Sequence, residues 1–184
     1  MKTWFAVMLA LALTLSMVYS ATAADNPLET SEKAVRLELH NQIPKDRILN
    51  LEQFYQLYQD VMAGKEKAYI IDTRTHPEFY AGHIAGTDHV HAGHVYTIPR
   101  LIKDPDAKIV VFCRTNVRND YFAGMLYKYG YTNVWSYEDG VVGWMKAGYP
   151  LVNQFMGKFQ VVEYHKEFSG PEKDPFNIRE FHPY

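Results

Sequence analysis

Apolar positions fall at helical spacing in some stretches of the chain and in short β-rich runs in others, and the two kinds alternate through its middle. Leu51, Phe54, Leu57, Tyr58, Val61 and Met62 share one helical face. Asn50 with Gln53 three residues on has the capping-box pattern at the start of that helix, and Gly64 ends it. Residues 68–72 form a short β-rich run suited to a strand buried on both faces. Thr75-His76-Pro77-Glu78 predicts a shorter helix, with proline early and the glutamate placed to bond back. Val90 centres a weak strand, Asp104-Pro105-Asp106 marks a turn, and residues 108–112 (Lys-Ile-Val-Val-Phe) are the strongest strand in the chain. Residues 117–129 read as a helix stopped by Gly130, 133–135 as a strand, and 138–147 as a helix stopped by Gly148. Strands alternating with helices predict an α/β domain with a central parallel sheet flanked by helices.

The two ends have a different character. Lys2, the uncharged and mostly apolar run 4–18, and Ala21-Thr22-Ala23 follow the order of a cleaved secretory signal. Residues 1–23 are therefore expected to be a signal peptide, and the protein to be secreted or periplasmic. The apolar run is shorter than the ~20 residues that span a bilayer, so no stable membrane span is expected after cleavage. Residues 24–46, polar apart from an amphipathic stretch at 32–39, read as an N-terminal extension. Residues 47–152 carry the α/β pattern. Residues 159–164 have strand character, but Ser169-Gly170-Pro171 and Asp174-Pro175 break regular structure beyond. Residues 153–184 accordingly read as a C-terminal extension that wraps the domain or meets a partner.

Composition narrows the function. A chain of 184 residues with 47% hydrophobic residues suits one globular domain. A net charge of -2 and a pI near 6.4 leave no basic footprint for nucleic acid.

The single cysteine, Cys113, is more informative. Exported chains normally use cysteines in pairs; a lone one forms no intramolecular disulfide and is a buried bystander, an intermolecular link or a reactive thiol, as its local context decides. Cys113 stands one residue past the strongest strand and just before a helix, in the loop Cys113-Arg114-Thr115-Asn116-Val117-Arg118. Ligands of parallel α/β sheets bind at such crossings. The turn into a helix aims successive N–H groups at one point and favours an anion there, and two arginines add positive charge. The expectation is a thiol drawn below the ~8.5 of free cysteine and serving as a nucleophile. A buried, inert cysteine is the bland alternative, against which the loop position and the arginines weigh. Asp72 and Arg74 are expected to form a strand-end salt bridge that fixes the loop. His89, His91 and His94 raise the question of a metal, but their spacing is no recognised chelate, and they read as rim or structural histidines.

Three segments carry a family resemblance. Ile71-Asp72-Thr73-Arg74, followed by Glu78-Phe79, Gly82-His83-Ile84 and Gly86, resembles the first signature of rhodanese-like sulfurtransferases. Val110-Val111-Phe112-Cys113-Arg114 with Arg118 is similar to their active-site loop. Trp144 and Gly148-Tyr149-Pro150 resemble the second signature. The resemblance implies a small rhodanese-like domain over 47–152. It also implies a sulfurtransferase in which Cys113 takes sulfane sulfur from a small anion such as thiosulfate. The resulting persulfide passes the sulfur to a thiol, cyanide or a protein acceptor. Arg114, Thr115, Asn116, Val117 and Arg118 would bind the donor, with no metal or organic cofactor. Asn116 stands where the family often has glycine. Asparagine tolerates left-handed backbone, so the loop is expected to form, and substrate preference is what the change touches. Two other readings follow from the same fold. One is a catalytically idle binding module, against which the retained cysteine argues. The other is a phosphatase or arsenate reductase, enzymes whose loop is one residue longer than the four residues between Cys113 and Arg118.

Overall fold

The computed structural model describes residues 26–161. The expected signal peptide and the aromatics Phe168, Phe176, Phe181 and Tyr184 lie outside the described residues. The chain divides into two compact units, Met1–Val35 and Arg36–Tyr184. The described part of the first is the opening of helix α1 (Pro27–His40), where Glu29 and Lys33 pair one turn apart.

In the second unit the elements follow as β1 (Ile48–Leu49), α2 (Leu51–Met62), β2 (Tyr69–Asp72), α3 (His76–Ala81), β3 (Asp88–His89), α4 (Ile98–Leu101) and β4 (Ile109–Phe112). After them come α5 (Val117–Tyr129), β5 (Val134–Tyr137), α6 (Gly140–Lys146), β6 (Leu151–Asn153) and β7 (Gly157–Phe159). Five strands form one all-parallel sheet in the order β1-β5-β4-β2-β3. The central strand β4 is buried at every position because helices cover both faces. Side-chain alternation divides its apolar residues between two cores. Ile109 and Val111 join Ile71, Phe122 and Leu126 beneath α5. Val110 and Phe112 join Phe54, Tyr137, Val141 and Trp144 beneath α2 and α6.

Local chemistry explains most boundaries. Asn50 and Gln53 form the reciprocal capping box of α2, and Thr75 and Glu78 that of α3. Gly130 ends α5 in the left-handed conformation at φ 101. Two boundaries differ from expectation. The edge strand is Asp88–His89, and Val90 lies just beyond it, donating its N–H to Asp72 O. β5 runs on to Tyr137 because it stays paired with β4 up to Phe112, and α6 begins only at Gly140.

Chain outside the strand–helix core also takes part in the fold. Arg36 Nε donates to Asp120 Oδ2 at 2.7 Å, and His40 Nδ1 lies 2.9 Å from Asp120 Oδ1. Leu39 and Ile43 are buried. β6 and β7 form an antiparallel hairpin that crosses the expected boundary at residue 153, and Leu151 and Phe159 pack on the α2–α6 core. No helix among the described residues is long and apolar enough to cross a membrane.

Candidate active site

Cys113 follows β4 directly, at the carboxyl end of the sheet. Two sets of bonds hold its loop from outside. Thr73, just past β2, donates its N–H (2.8 Å) and its hydroxyl (3.1 Å) to Phe112 O. From the other side, Val141 N–H donates to Cys113 O at 2.9 Å and Val142 N–H to Arg114 O at 3.1 Å. This contact requires glycine at 140. Its φ is +58, and a Cβ there would stand 2.6 Å from the carbonyl oxygens of both Cys113 and Arg114.

Inside the loop, the amides of Thr115, Arg118 and Asn119 and the Arg118 side chain converge on the Cys113 sulfur. The thiol is only 1% exposed. Burial pushes it up from its ordinary value, and this outweighs the downward pull of Arg118 and the three amides. The expected depression of the thiol is therefore overturned: the donors are in place, but so little water reaches the sulfur that the resting form is the neutral thiol.

Asn116 is a second correction. It has φ -154 and ψ -35, and no described non-glycine residue has positive φ, so the loop asks for no left-handed residue there. Its Nδ2 instead donates to Glu138 Oε1 at 3.3 Å. Thr115 and Val117 are exposed at the mouth, and Arg114 is half-buried.

Arg118 carries a partner that the sequence did not assign to the site. Its guanidinium donates to both Glu78 oxygens, at 2.6 and 2.9 Å. In the sequence Glu78 was legible as the helix cap of α3 and as part of the first signature. In the fold it caps the helix and pairs with Arg118, since Thr75 N–H and hydroxyl also donate to it. Burial opposes its ionisation. The bonds from Arg118 and Thr75 and the charge of Arg118 nevertheless hold its carboxyl at about 2. Because the folded value lies below the unfolded one, this stabilisation is full above the unfolded value and is lost as pH falls toward 2. The shift corresponds to roughly 3 kcal/mol. Glu78→Gln is expected to be less stable by about that amount at pH 7, with the gap closing between about pH 5 and 2, as read from urea unfolding along a pH series.

Asp72 and Arg74 form a buried ion pair at the end of β2. Arg74 Nε lies 3.0 and 2.9 Å from the two Asp72 oxygens and Nη2 2.7 Å from Oδ2. Nη2 also donates to Gly82 O at 2.8 Å. Asp72 is fully buried and Arg74 is 5% exposed, so the pair props the β2–α3 junction and does not touch the Cys113 sulfur pocket directly.

The histidines gather beside this loop. His76, which opens α3, stands with its ring 4.7 Å from that of His89 and 6.3 Å from that of His91. Among the described residues no group of three or more His, Cys, Asp or Glu side chains is arranged to hold a metal ion.

An all-parallel sheet with a lone cysteine in an amide-lined loop at the end of its central strand defines a small α/β domain with one candidate nucleophile at its carboxyl edge. Comparison with known proteins agrees. The rhodanese-like domain matches residues 53–147, slightly more than half of the chain. The uncharacterized protein YibN of Escherichia coli is 29% identical over 93 residues, 50% of this chain and just under two thirds (65%) of YibN. The thiosulfate sulfurtransferase GlpE of Pseudomonas fluorescens is 30% identical over 86 residues, covering 47% of this chain and 77% of that enzyme. A solved structure from Rhodopseudomonas palustris, described as a protein of unknown function and possible tyrosine phosphatase, superimposes with TM-score 0.56 at 22% identity. That match covers 71% of this chain and 96% of the other, and it speaks for the fold alone. The chain belongs to the rhodanese-like domain family.

Proposed function

We propose that this chain is a sulfurtransferase that carries sulfane sulfur on Cys113. The observation that supports this reading most is the convergence of three backbone amides and Arg118 on the one cysteine. In the proposed cycle the Cys113 thiolate attacks the outer sulfur of a donor such as thiosulfate. The S–S bond of the donor breaks, sulfite leaves with the bonding electron pair, and a persulfide remains on Cys113. A thiol or cyanide then attacks the outer sulfur, and the thiolate is regenerated. A persulfide is a stronger acid than a thiol, so the loop amides suit it better than they suit the resting thiol. The similarity to a thiosulfate sulfurtransferase supports the choice of donor. The test is intact-mass measurement after thiosulfate treatment. A gain of one sulfur, removed by cyanide as thiocyanate, is the expected result.

One observation favours a second reading, a catalytically idle binding module: the thiol is buried and its pKa is raised. Absence of any adduct from thiosulfate, mercaptopyruvate or polysulfide would decide for the module.

We also propose export, on the order of charge, apolar run and Ala21-Thr22-Ala23. The natively expressed protein should then begin at Ala24 by intact mass. Full-length chain in the soluble cytoplasm would refute export.

A further inference from the structure

The Arg118–Glu78 pair brings one positive and one negative charge to the mouth of the Cys113 loop, and the two cancel. Variable charge is supplied instead by imidazoles that lie far apart in sequence. His76 starts α3, His89 ends β3, and His91 and His94 open the 3-10 segment Ala92–Thr97. Ring centroids of His91 and His94 are 5.7 Å apart, and those of His76 and His94 are 6.4 Å apart. Backbone bonds place this group beside the cysteine. Thr73 N–H donates to Phe112 O, one residue before Cys113, and Ala92 N–H donates to Thr73 O at 3.0 Å, one residue after His91.

His89 is the most constrained of the four. Its Nε2 lies 2.8 Å from Arg74 O, so that nitrogen carries a proton, and its ring stacks on Phe79 at 4.4 Å. His91 accepts Gly93 N–H at Nδ1, which leaves Nε2 as its donor. The groups that bear on His91 are His94 from the same segment, His76 from α3, Arg118 from α5 and His89 from β3. All are cationic when charged. Burial and then these neighbours hold His91 below the ordinary imidazole value. The nearest carboxylate on the α3 side, Glu78, is engaged by Arg118, and Asp88 points to the opposite face of β3 from His89 by strand alternation.

We propose that His76, His91 and His94, with His89 behind them, form a proton-gated subsite that gathers a small dianionic oxyanion such as thiosulfate at the mouth of the Cys113 loop. The proposal rests on the sulfur-transfer reading above. Neighbouring imidazoles that share no carboxylate repel one another's protons, and a dianion placed among them removes that repulsion. Anion binding therefore draws protons on, and by reciprocity the anion binds more tightly as pH falls. Each fully linked proton changes the affinity about tenfold per pH unit.

Full-length Cys113→Ser, which has no sulfur nucleophile, separates binding from chemistry. It is titrated calorimetrically with thiosulfate at pH 6 and pH 8, in buffers of different ionisation heat, with sulfate, a dianion at both pH values, as a parallel arm. Thiosulfate affinity should rise about tenfold or more at pH 6, with net proton uptake. His91→Gln/His94→Gln in the same background should flatten that dependence. A readout on the unmutated histidines guards against misfolding of the variant: imidazole proton resonances should titrate at higher pH when the anion is present. A similar gain with sulfate assigns the subsite to tetrahedral dianions generally, and a gain with thiosulfate alone assigns it to the donor; both support it. Thiosulfate affinity that is equal at the two pH values, or a gain that persists in the double histidine variant, overturns it. Sulfur loading of the wild type is scored separately, so failure to load counts against sulfur transfer and not against the subsite.

Discussion

Cys113→Ser should take up no sulfur from thiosulfate under conditions in which the wild type gains one sulfur per chain. A serine hydroxyl cannot hold sulfane sulfur, and the sequence has no second cysteine to replace the lost one. The substitution is close to isosteric, and the amides of Thr115, Arg118 and Asn119 remain available to the hydroxyl. Its melting temperature should therefore stay near that of the wild type, which separates lost chemistry from lost fold. The wild type carries a further signature. Because burial holds the thiol above its ordinary value, the thiolate is a minor species at neutral pH. The loading rate at saturating donor should climb about tenfold per pH unit until the thiol titrates. Intact-mass time courses along a pH series read both effects. An adduct on Cys113→Ser would count against Cys113 as the carrier, and a loading rate indifferent to pH would count against the raised thiol.

Asp72→Asn should be the most destabilising of the conservative changes near the site. Asparagine fills the same space, so no cavity opens, but the Arg74 guanidinium is left 5% exposed without a counter-charge. Removing one partner of a buried ion pair costs about 3–5 kcal/mol, mostly the penalty of the stranded charge. For a domain of this size that is a fall in melting temperature of roughly 10 °C or more. The bond from Arg74 to Gly82 O ties the end of β2 to the end of α3, so the loss should also loosen the helix that supplies Glu78 to Arg118. Calorimetric melting checks the first effect, and a raised thiosulfate KM in the surviving folded protein checks the second. Asp72→Asn/Arg74→Met should recover part of the stability, because the second change removes the unpaired charge.

The parallel sheet was legible because each strand is a short β-rich run between helices whose caps are written in adjacent residues. Asn50 with Gln53 and Thr75 with Glu78 bond as their spacing predicts. Where a boundary depended on pairing with a distant strand, local pattern was not enough. β5 extends to Tyr137 only because β4 lies beside it as far as Phe112. The position of Cys113 could be read because strand, cysteine and helix are consecutive. Its acidity could not, since that depends on how completely other segments exclude water from the sulfur. The pairing of Glu78 with Arg118, the role of Gly140 and the joining of His76 to His89, His91 and His94 escaped for the same reason. Glu78 is 40 residues from the arginine it holds. The need for glycine at 140 comes from carbonyl oxygens of a different loop. The local sign was that Gly140 and Glu78 stand in the first turns of helices, where backbone donors and caps concentrate.

The depth of Cys113 bears on its fate among oxidants. A disulfide needs the two Cα atoms within roughly 4.4–6.8 Å of each other. A thiol 1% exposed, roofed by its own loop and by the start of α6, offers no such approach to a cysteine carried on another folded chain. Two folded copies of the chain thus have no direct route to a covalent dimer through Cys113. Only slender carriers reach it. In the proposed persulfide the outer sulfur would stand about 2 Å further out along the new bond, so the cargo would be offered while the sulfur that bears it stays enclosed.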